Sequence, residues 1–391
     1  SISELCEHPQ RDQFEAFDLG PGCFRHGDFE RFVKAFEGGG LRTLDLSGNE
    51  LGSSQLELLA TSSMLANLTH LEMQENVTDD EGLEILAKSE HLGSLESLSL
   101  KNSYYGGDAI AALLSNPKLA RLRALDLYNN SYVADEVIDV LADAACVFSL
   151  EKLGLAGCGV DDENLERLVG SCHVKTLVKL DLSYNDDLTS EGLIPFFEAG
   201  GETLANLEKL YVASTGVDGV AVSALAGSAN MTRLRVLGLH YCQVGNDGAV
   251  AIAASDHLGA LEEVTLSLNR VGDKGAIALA KTDRLPSMRS LTLGDNKIGE
   301  RGYEALIDSP HIAWLDYFSL PKEQMSKELY ARIKDSKHLT EAQVQTYWSE
   351  CSTKELESLA AEYGIAGRSK MKRDALIEAV RARRLEQAST S

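Results

Sequence analysis

Leucines alternate with polar residues in a short segment that returns along most of the chain. One copy, LRTLDLSGN, begins at Leu41. Its apolar Leu44 and Leu46 alternate with polar residues such as Thr43. Alternation with a period of two predicts a short strand with one buried face. We call this segment the cassette and number its positions 1 to 9, so that Leu41 stands at position 1.

The cassette recurs at a nearly fixed spacing. Successive starts are separated by 27 residues in most cases, by 28 and 30 in two, and by 24 before the last copy. A fixed period of this size predicts a solenoid, in which stacked repeats bury one continuous core that no single repeat could bury. Ten regular copies begin at Leu41, Leu68, Leu95, Leu122, Leu150, Leu177, Leu207, Leu234, Leu261 and Met288, and two degenerate copies begin at Phe14 and Ile312.

A helical pattern follows each cassette. In VGDKGAIALAKT, the apolar residues from Val271 to Ala280 return with the spacing of one helix face. Asp273 is placed to cap this helix, and Gly275 to let it pack closely. Strand, turn and helix fill each repeat, so we expect residues 1–320 to form an α/β solenoid of about 12 repeats. Because helices are wider than strands, the parallel sheet should line the concave side and the helices the convex side.

Position 9 is most often asparagine, and we expect the stacked asparagine side chains to bond the backbone of the turn. Cys158 and Cys242 replace asparagine in two repeats, where a buried thiol is acceptable. The chain has seven cysteines, an odd number without a CxxC pair, which favours a reduced, cytoplasmic setting. The asparagines are Asn49, Asn76, Asn130, Asn185, Asn269 and Asn296.

Position 5 forms a column of exposed side chains across the predicted sheet, which we call the central column. Five of its first seven members are carboxylates. Like charges on neighbouring strands repel, so one hypothesis is that the column docks a basic partner. The other hypothesis is that aspartate is a common, merely solvated residue here. The column comprises Asp18, Asp45, Glu72, Ser99, Asp126, Gly154, Asp181, Tyr211, Gly238, Thr265, Thr292 and Asp316.

Aromatic side chains cluster on or beside the same face in the middle repeats. Tyrosine is enriched among interface anchors, so these residues are candidates for partner binding. The alternative is that some of them cover the edges of neighbouring leucines. Trp314 and Phe318, in the last and irregular repeat, are expected to seal the end of the core. The candidates are Tyr128, Tyr184, Tyr211 and Tyr241, with His240 adjacent.

Charge is distributed unevenly along the chain. The net charge is −23, which should repel nucleic acid and anionic membranes from most of the molecule. Residues 340–391 contain eight acidic and eight basic residues, and within them 364–384 contains seven basic and two acidic ones. The period stops at Pro321. Residues 321–351 are predicted to form a helical cap or linker, and residues 352–391 a small helix–loop–helix module.

Two helices are predicted in this module. Ser352 or Thr353 can cap the first helix, and Gly364 ends it. A basic loop follows, and then the second helix. The apolar residues of the pair are Leu356, Leu359, Ala360, Leu376, Ile377 and Val380.

The repeat pattern resembles the leucine-rich-repeat superfamily, and in particular its ribonuclease-inhibitor-like class. The continuation N-x-[IV]-G-x-x-G, present as NRVGDKG and NKIGERG, is typical of bacterial members. The resemblance covers residues 14 to about 320. It implies the horseshoe fold, and it leaves function open because the superfamily binds very diverse partners.

The motif LxxLAxExGI followed by GRSKMKRDxLI, from Leu356 to Ile377, resembles the SAP domain and the related N-terminal domain of transcription terminator Rho. Members of these families often bind DNA or RNA, so the resemblance implies phosphate contacts through clustered lysine and arginine. A solvated basic face or a contact with protein is the alternative. The basic residues are Arg368, Lys370, Lys372, Arg373, Arg381, Arg383 and Arg384.

Motifs of enzymes and cofactor sites are missing from the sequence. It contains no GxxxxGK[ST], HExxH or GxSxG, so we expect no active site, cofactor or metal. His240 and Cys242 are two residues apart without a second ligand pair, which predicts a surface histidine beside a buried thiol. No signal peptide and no apolar run of membrane-spanning length is visible.

Three functional hypotheses result. The first is a non-enzymatic cytoplasmic adaptor, whose acidic concave surface binds a protein while its tail contacts nucleic acid or a second protein. The second follows from the resemblance to ribonuclease inhibitor and is stoichiometric inhibition of a basic enzyme or toxin. The third is GTPase activation, because the Ran GTPase-activating protein shares this repeat class; Arg270 would be the candidate residue.

Overall fold

The strands of the chain form one parallel sheet in a computed structural model. The structure describes residues 2–25, 27–76, 79–143, 148–171, 175–199, 204–311, 317–319, 329, 352–362 and 364–388. Twelve strands lie side by side in chain order, which confirms the predicted α/β solenoid. They are β1 (Ala16–Asp18), β2 (Thr43–Asp45), β3 (His70–Glu72), β4 (Ser97–Ser99), β5 (Ala124–Asp126), β6 (Lys152–Gly154), β7 (Lys179–Asp181), β8 (Lys209–Tyr211), β9 (Val236–Gly238), β10 (Glu263–Thr265), β11 (Ser290–Thr292) and β12 (Tyr317–Ser319).

The register of the sheet follows the cassette and corrects the prediction for the last repeat. Thr292 lies opposite Ser319, so Ser319 and not Asp316 takes the twelfth place in the central column. The spacing of 27 residues therefore continues to the last strand. The apolar residues alone predict a spacing of 24 residues, because this segment has apolar residues at the buried positions of either alignment. Phe318 lies opposite Leu291, a position that faces the core in the preceding strands.

Helices alternate with the strands, and consecutive helices pack against one another from α3 onwards. Short 3-10 turns at Ser63–Asn67, Pro117–Arg121 and Ala229–Met231 lead back to the next strand. The helices are α1 (Ile2–Cys6), α2 (Asp28–Ala35), α3 (Ser53–Thr61), α4 (Asp80–Leu86), α5 (Gly107–Leu114), α6 (Ala134–Ala142), α7 (Asp162–Val169), α8 (Ser190–Glu198), α9 (Gly219–Gly227), α10 (Gly245–Ala254), α11 (Asp273–Lys281) and α12 (Glu300–Ile307).

The core lies between the sheet and the helices. Cassette leucines such as Leu44 and Leu46 are fully buried there. At the N-terminal end, phenylalanines replace the leucines. The rings of Phe17 and Phe36 lie 4.9 Å apart between centroids, and Phe32 is also fully buried. Large rings cover more surface than leucine, so this cluster fills the core under the first strand.

The asparagines of position 9 form a buried ladder along the turns, as predicted. In Asn185, Nδ2 donates to the carbonyl oxygens of Leu155 at 3.0 Å and Leu182 at 2.8 Å. Its Oδ1 accepts from the backbone N–H groups of Cys158 at 3.1 Å and Val160 at 2.9 Å. Each asparagine thus bonds its own repeat and the preceding one, which satisfies buried backbone groups that the short strands leave unpaired.

The two cysteines of position 9 occupy the same buried site. The thiol of Cys158 lies 3.1 Å from the carbonyl oxygen of Leu127, and that of Cys242 lies 3.2 Å from that of Val212. Burial raises the pKa of the Cys158 thiol to about 12 and also raises the pKa of Cys242. Both are therefore structural thiols that stay protonated at neutral pH.

Helix capping crosses from one repeat to the next, which corrects the role predicted for Asp273. Its Oδ1 accepts from the backbone N–H of Gly299 at 2.7 Å and Gly302 at 3.0 Å, so it caps α12 and not its own helix. A Cβ atom at Gly302 would approach Oδ1 of Asp273 to 2.7 Å. At Gly275 a Cβ would meet the Cβ of Ala249 at 2.9 Å, which confirms that this glycine permits close packing.

The C-terminal module forms the two predicted helices, α13 (Thr353–Glu362) and α14 (Arg373–Ala388). Gly364 ends α13 with φ +68°, and the backbone N–H of Ile365 donates to the carbonyl of Ala360 at 2.8 Å. This is the hydrogen-bonding pattern of a glycine-terminated helix. The predicted cap at 321–351, apart from residue 329, and Trp314 lie outside the described residues. Within the described part of the chain, no helix is long and apolar enough to cross a membrane.

Candidate functional site: the concave face and its turn edge

The carboxylates of the central column stand next to one another, as the register predicts. Asp18 lies opposite Asp45, and Asp45 opposite Glu72, on adjacent parallel strands. Asp18 and Glu72 are exposed, whereas Asp45 is half-buried. Adjacent strands are about 4.8 Å apart, so the three charges repel across the sheet.

Three members of the central column also have a local role in the fold. Oδ1 of Asp45 accepts from the backbone N–H of Ser47 at 2.8 Å. Asp126 and Asp181 make the same contact with the residue two positions on, at 3.2 and 3.1 Å. Aspartate commonly bonds its own backbone in this way where a strand turns away. The turn therefore explains in part why aspartate is frequent at position 5.

Lysines compensate the carboxylates in the middle of the sheet, and the sequence reasoning missed them. Lys152, Lys179 and Lys209 occupy position 3 of β6, β7 and β8. Nζ of Lys101 lies 2.9 Å from Oδ2 of Asp126. A uniform acidic run is therefore confined to β1–β3, where position 3 holds no lysine. The lysines are visible in the sequence as the third residue of the cassettes LEKLGL, LVKLDL and LEKLYV.

Two glycines give the central column an uneven profile. A Cβ atom at Gly154 would lie 2.7 Å from Oδ1 of Asp126, and one at Gly238 would lie 2.6 Å from a ring carbon of Tyr211. The neighbouring side chains therefore lean into the free space over each glycine. A groove of about 380 Å³ crosses β3 to β7 above this floor, with both carboxylates and lysines on its walls.

The predicted tyrosines divide between the sheet and the turns. Tyr211 lies in β8, with Nζ of Lys179 5.4 Å from its ring centroid, and burial raises the pKa of Tyr211. Tyr128, Tyr184 and Tyr241 lie instead in the turns that lead from strands to helices. They therefore flank the concave face without standing on it.

Two further tyrosines lie on the same edge, and the sequence pattern alone did not identify them as candidates. Tyr104 and Tyr132 follow position 9 of their repeats and are 80% and 86% exposed. A tyrosine one or two residues after the cassette, as in KNSYYGG and YNNSYVAD, is the signal that would have found them. We call the five residues of these turns the tyrosine edge: Tyr104, Tyr128, Tyr132, Tyr184 and Tyr241.

Four of these tyrosines adopt a backbone conformation that suits glycine. Their φ angles are 57° at Tyr104, 61° at Tyr132, 59° at Tyr184 and 55° at Tyr241. A residue other than glycine loses about 1–2 kcal/mol in this left-handed region. Gly48, with φ 67°, takes the turn position of Tyr184 and Tyr241 in another repeat, and Gly159, with φ 81°, takes that of Tyr104, so the fold accepts glycine at these positions.

A second charged column, at position 2, alternates in sign. Arg235 lies between Glu208 and Glu262, with nitrogen–oxygen distances of 3.8 and 2.8 Å. Arg123 likewise pairs with Glu151 on the next repeat. We call this the entry column, because it precedes each strand. The paired charges of this column neutralise one another within the protein and leave little for a partner.

The basic residues of the C-terminal module gather at its loop. Lys370 and Lys372 are exposed, and Arg368 and Arg373 are half-buried. A 3-10 turn at Arg368–Lys370 and the left-handed Gly367, with φ 75°, shape this loop. Arg383 is exposed on α14, whereas the side chains of Arg381 and Arg384 lie outside the described part.

His240 and Cys242 do not converge on a metal. His240 is exposed, while the Cys242 thiol is buried against the turn backbone. Among the residues whose positions are described, no group of three or more His, Cys, Asp or Glu side chains could hold a metal ion.

Comparison with known proteins supports the repeat assignment. One model of the leucine-rich repeat matches residues 173–197, 230–253 and 261–280, and a second matches residues 40–61. The comparison with curated proteins finds no match. The crystal structure of the yeast Rad7–Elc1 complex aligns with a TM-score of 0.48 at 16% identity, covering 87% of this chain and 87% of that one. An internalin, InlF, from Listeria monocytogenes str. 4b F2365 aligns with a TM-score of 0.43 at 16% identity, covering 82% and 94%.

Proposed function

We propose, from the premise that this chain is a leucine-rich-repeat protein, that it is a protein-interaction scaffold whose concave face docks a basic protein. The observation that carries the proposal is the run of Asp18, Asp45 and Glu72 on adjacent strands, with which no lysine or arginine among the described residues forms an ion pair. In the middle of the sheet, by contrast, Asp126 pairs with Lys101, and Asp181 lies on a strand flanked by lysine-bearing strands. Repulsion between neighbouring strands lowers the stability of the fold, so this arrangement is consistent with a role in binding a partner.

Electrostatics supports a basic partner over an acidic one. The whole chain carries a net charge of −23, and its field adds to that of the three strands. Such a field accelerates the approach of an oppositely charged protein and rejects acidic ones. The lysines of β6–β8 would then fix the register of the partner, because they repel its basic residues in the middle of the face.

Affinity capture with paired variants tests the proposal. The central variant combines Asp18→Asn, Asp45→Asn and Glu72→Gln. The convex variant combines Glu84→Gln, Asp108→Asn and Glu163→Gln, three exposed residues of α4, α5 and α7, and has the same net charge. We expect the wild type and the convex variant to capture a partner rich in lysine and arginine, and the central variant to lose it. An acidic partner, or equal capture by all three proteins, would refute the proposal.

We further propose that the repeats belong to the ribonuclease-inhibitor-like class and that the protein works in a reducing, cytoplasmic compartment. Every repeat from α3 to α12 carries a helix, and glycines such as Gly275 and Gly302 pack these helices closely. Among the described cysteines, Cys6, Cys23, Cys158 and Cys242 form no disulfide. Disulfides are rare in such compartments.

The C-terminal helix–loop–helix is proposed as a SAP-like contact point for DNA or RNA. Its exposed Lys370 and Lys372, with Arg368 and Arg373, place four basic residues on one short loop. Electrophoretic mobility of labelled DNA and RNA should shift with the full chain and fall steeply with salt. Replacing these four residues by Gln should abolish the shift. Absence of any shift with the wild type would assign the loop to contacts with protein.

A further inference from the structure

Exposed large apolar side chains concentrate on one edge of the solenoid. Seven such residues are found in the described part of the chain, and six of them lie in the turns between strand and helix. Five of these six form the tyrosine edge, and the sixth is Leu268, which is 37% exposed. The seventh, Val220, lies on α9. Single exposed apolar residues are normally scattered over a protein surface, whereas these six lie along one edge.

The backbone adds a second observation. Four of the five tyrosines are held at positive φ, at turn positions where glycine also fits. Exposure to water and a left-handed conformation both disfavour tyrosine. The same turns have positive φ at residues other than tyrosine, such as Glu75 and Ser214, so the conformation belongs to the fold. Glycine can therefore replace these tyrosines without strain.

Charge around the rings indicates the chemistry of the occupant. Asp181, Asp186 and Asp187 stand in the turn or strand next to Tyr184, and the Asp186 and Asp187 side chains are exposed. Lys101, on the same edge, is already paired with Asp126. Arg270 and Lys297 lie further along the edge, in the turns beside Tyr241. An aromatic surface with surplus carboxylates suits a cation that is also planar, which is the guanidinium group of arginine.

The central pair of rings makes an edge-to-face contact. The rings of Tyr128 and Tyr184 lie 6.4 Å apart between centroids, at an interplanar angle of 74°. The repeat between them presents only Ala156 and Gly157 at the equivalent turn positions. Tyr128 and Tyr184 are 38% and 55% exposed, so part of this aromatic pair is open to a partner.

We propose that the tyrosine edge binds an extended, arginine-bearing segment of a partner protein. This inference deepens the proposed function, since it names a second contact for the same class of basic partner. Tyr104 and Tyr241 are separated by five repeats, or about 24 Å of sheet. An extended segment of roughly seven residues spans that distance. Alternate residues of such a segment point to the same side, so arginines at every second position would reach successive rings.

Fluorescence anisotropy with a labelled nine-residue peptide of alternating arginine and serine tests the proposal. The edge variant combines Tyr104→Gly, Tyr132→Gly and Tyr184→Gly in the full chain. Because all three residues have positive φ, glycine removes the rings and suits the backbone, so the variant should fold. We expect its affinity to fall about tenfold or more relative to the wild type. The matched control is Ser214→Gly, which changes a turn residue with φ 53° and no ring, and its affinity should equal that of the wild type.

Peptide chemistry and the central variant separate the possible results. A lysine–serine peptide of equal charge should bind several-fold more weakly than the arginine peptide, because lysine stacks less well on rings. Equal binding by the edge variant and the wild type, or no binding of the arginine peptide by the wild type, overturns the inference. If the edge variant loses the peptide while the central variant still captures the basic partner, the inference stands and the proposed function fails.

Discussion

The asparagine ladder and the central column recur with the same period, but neighbouring members attract in one and repel in the other. Asn185, for example, donates to its own repeat and to the preceding one and accepts from the preceding one, so neighbouring repeats are bonded together. Asp18, Asp45 and Glu72 instead repel one another across the sheet. A recurring residue that bonds its copies is explained by the fold. A recurring residue that repels its copies is explained only in part by the fold, even where it bonds its own turn as Asp45 does.

The entry column shows that the sheet can neutralise its charges. There, Arg235 stands between Glu208 and Glu262, only three positions away from the central column in each cassette. The same strands therefore carry one column of alternating sign and one with a run of like sign. This contrast makes the carboxylates of β1–β3 the region where function is expected.

The largest effect is expected in the ladder. Asn185→Ala removes two donated and at least two accepted hydrogen bonds at a buried site. Leaving several buried backbone groups unpaired should lower the free energy of unfolding by about 3 kcal/mol. Urea denaturation of the full chain measures it. A loss below about 1 kcal/mol would show that water or relaxation replaces the ladder bonds.

A cysteine in the ladder should make stability depend on alkaline pH. Burial raises the pKa of Cys158 from 9.0 to about 12, so the fold favours the protonated thiol. Its contribution is complete below pH 9, where both states are protonated, and is lost as the pH rises towards 12. At pH 10.5 the loss should be about 2 kcal/mol.

Cys158→Asn is the matched variant, because other repeats carry asparagine at this position. Its free energy of unfolding should fall less than that of the wild type between pH 8 and about 10.5. Parallel curves for the two proteins would contradict the account of a buried, protonated thiol.

The central column should respond in the opposite direction to the ladder. The variant Asp18→Asn, Asp45→Asn and Glu72→Gln removes repulsion between neighbouring strands. Its free energy of unfolding should stay equal or rise by up to about 1 kcal/mol, and the gain should shrink at high salt. Thermal and urea unfolding measure it. A clear loss of stability would mean that these carboxylates serve the fold.

The smallest effect is expected in the entry column. Arg235→Ala breaks exposed ion pairs with two glutamates. Exposed pairs contribute little, so the melting temperature should shift by less than about 2 °C. A larger shift would show that alternating charge is a main support of the sheet, which would weaken the contrast with the central column.

The sequence was sufficient for the fold because the cassette is short, apolar and repeated. It predicted the sheet order, the asparagine ladder and both C-terminal helices. It misplaced the last strand, since apolar residues near Ile312 fit two frames. It also assigned Asp273 to its own helix, because a cap that reaches the next repeat leaves no local pattern.

The candidate site was less accessible from sequence. Position 5 identified the carboxylates, but their compensation by Lys101 depends on a contact between repeats. The exposure of Tyr104 and Tyr132 depends on how the turn projects them, which alternation along a strand does not encode. Backbone angles at the turn were likewise visible only in three dimensions.

The most direct test of the central claim is the dissociation constant of the captured partner for three proteins across a salt series. The proteins are the wild type, the central variant and the convex variant. The account predicts that affinity for the wild type and the convex variant falls with salt at a similar slope, and that the central variant binds at least about tenfold more weakly at low salt with a shallower slope. Equal affinities and equal slopes for the central and convex variants would show that only net charge matters and that the concave carboxylates are not the docking site.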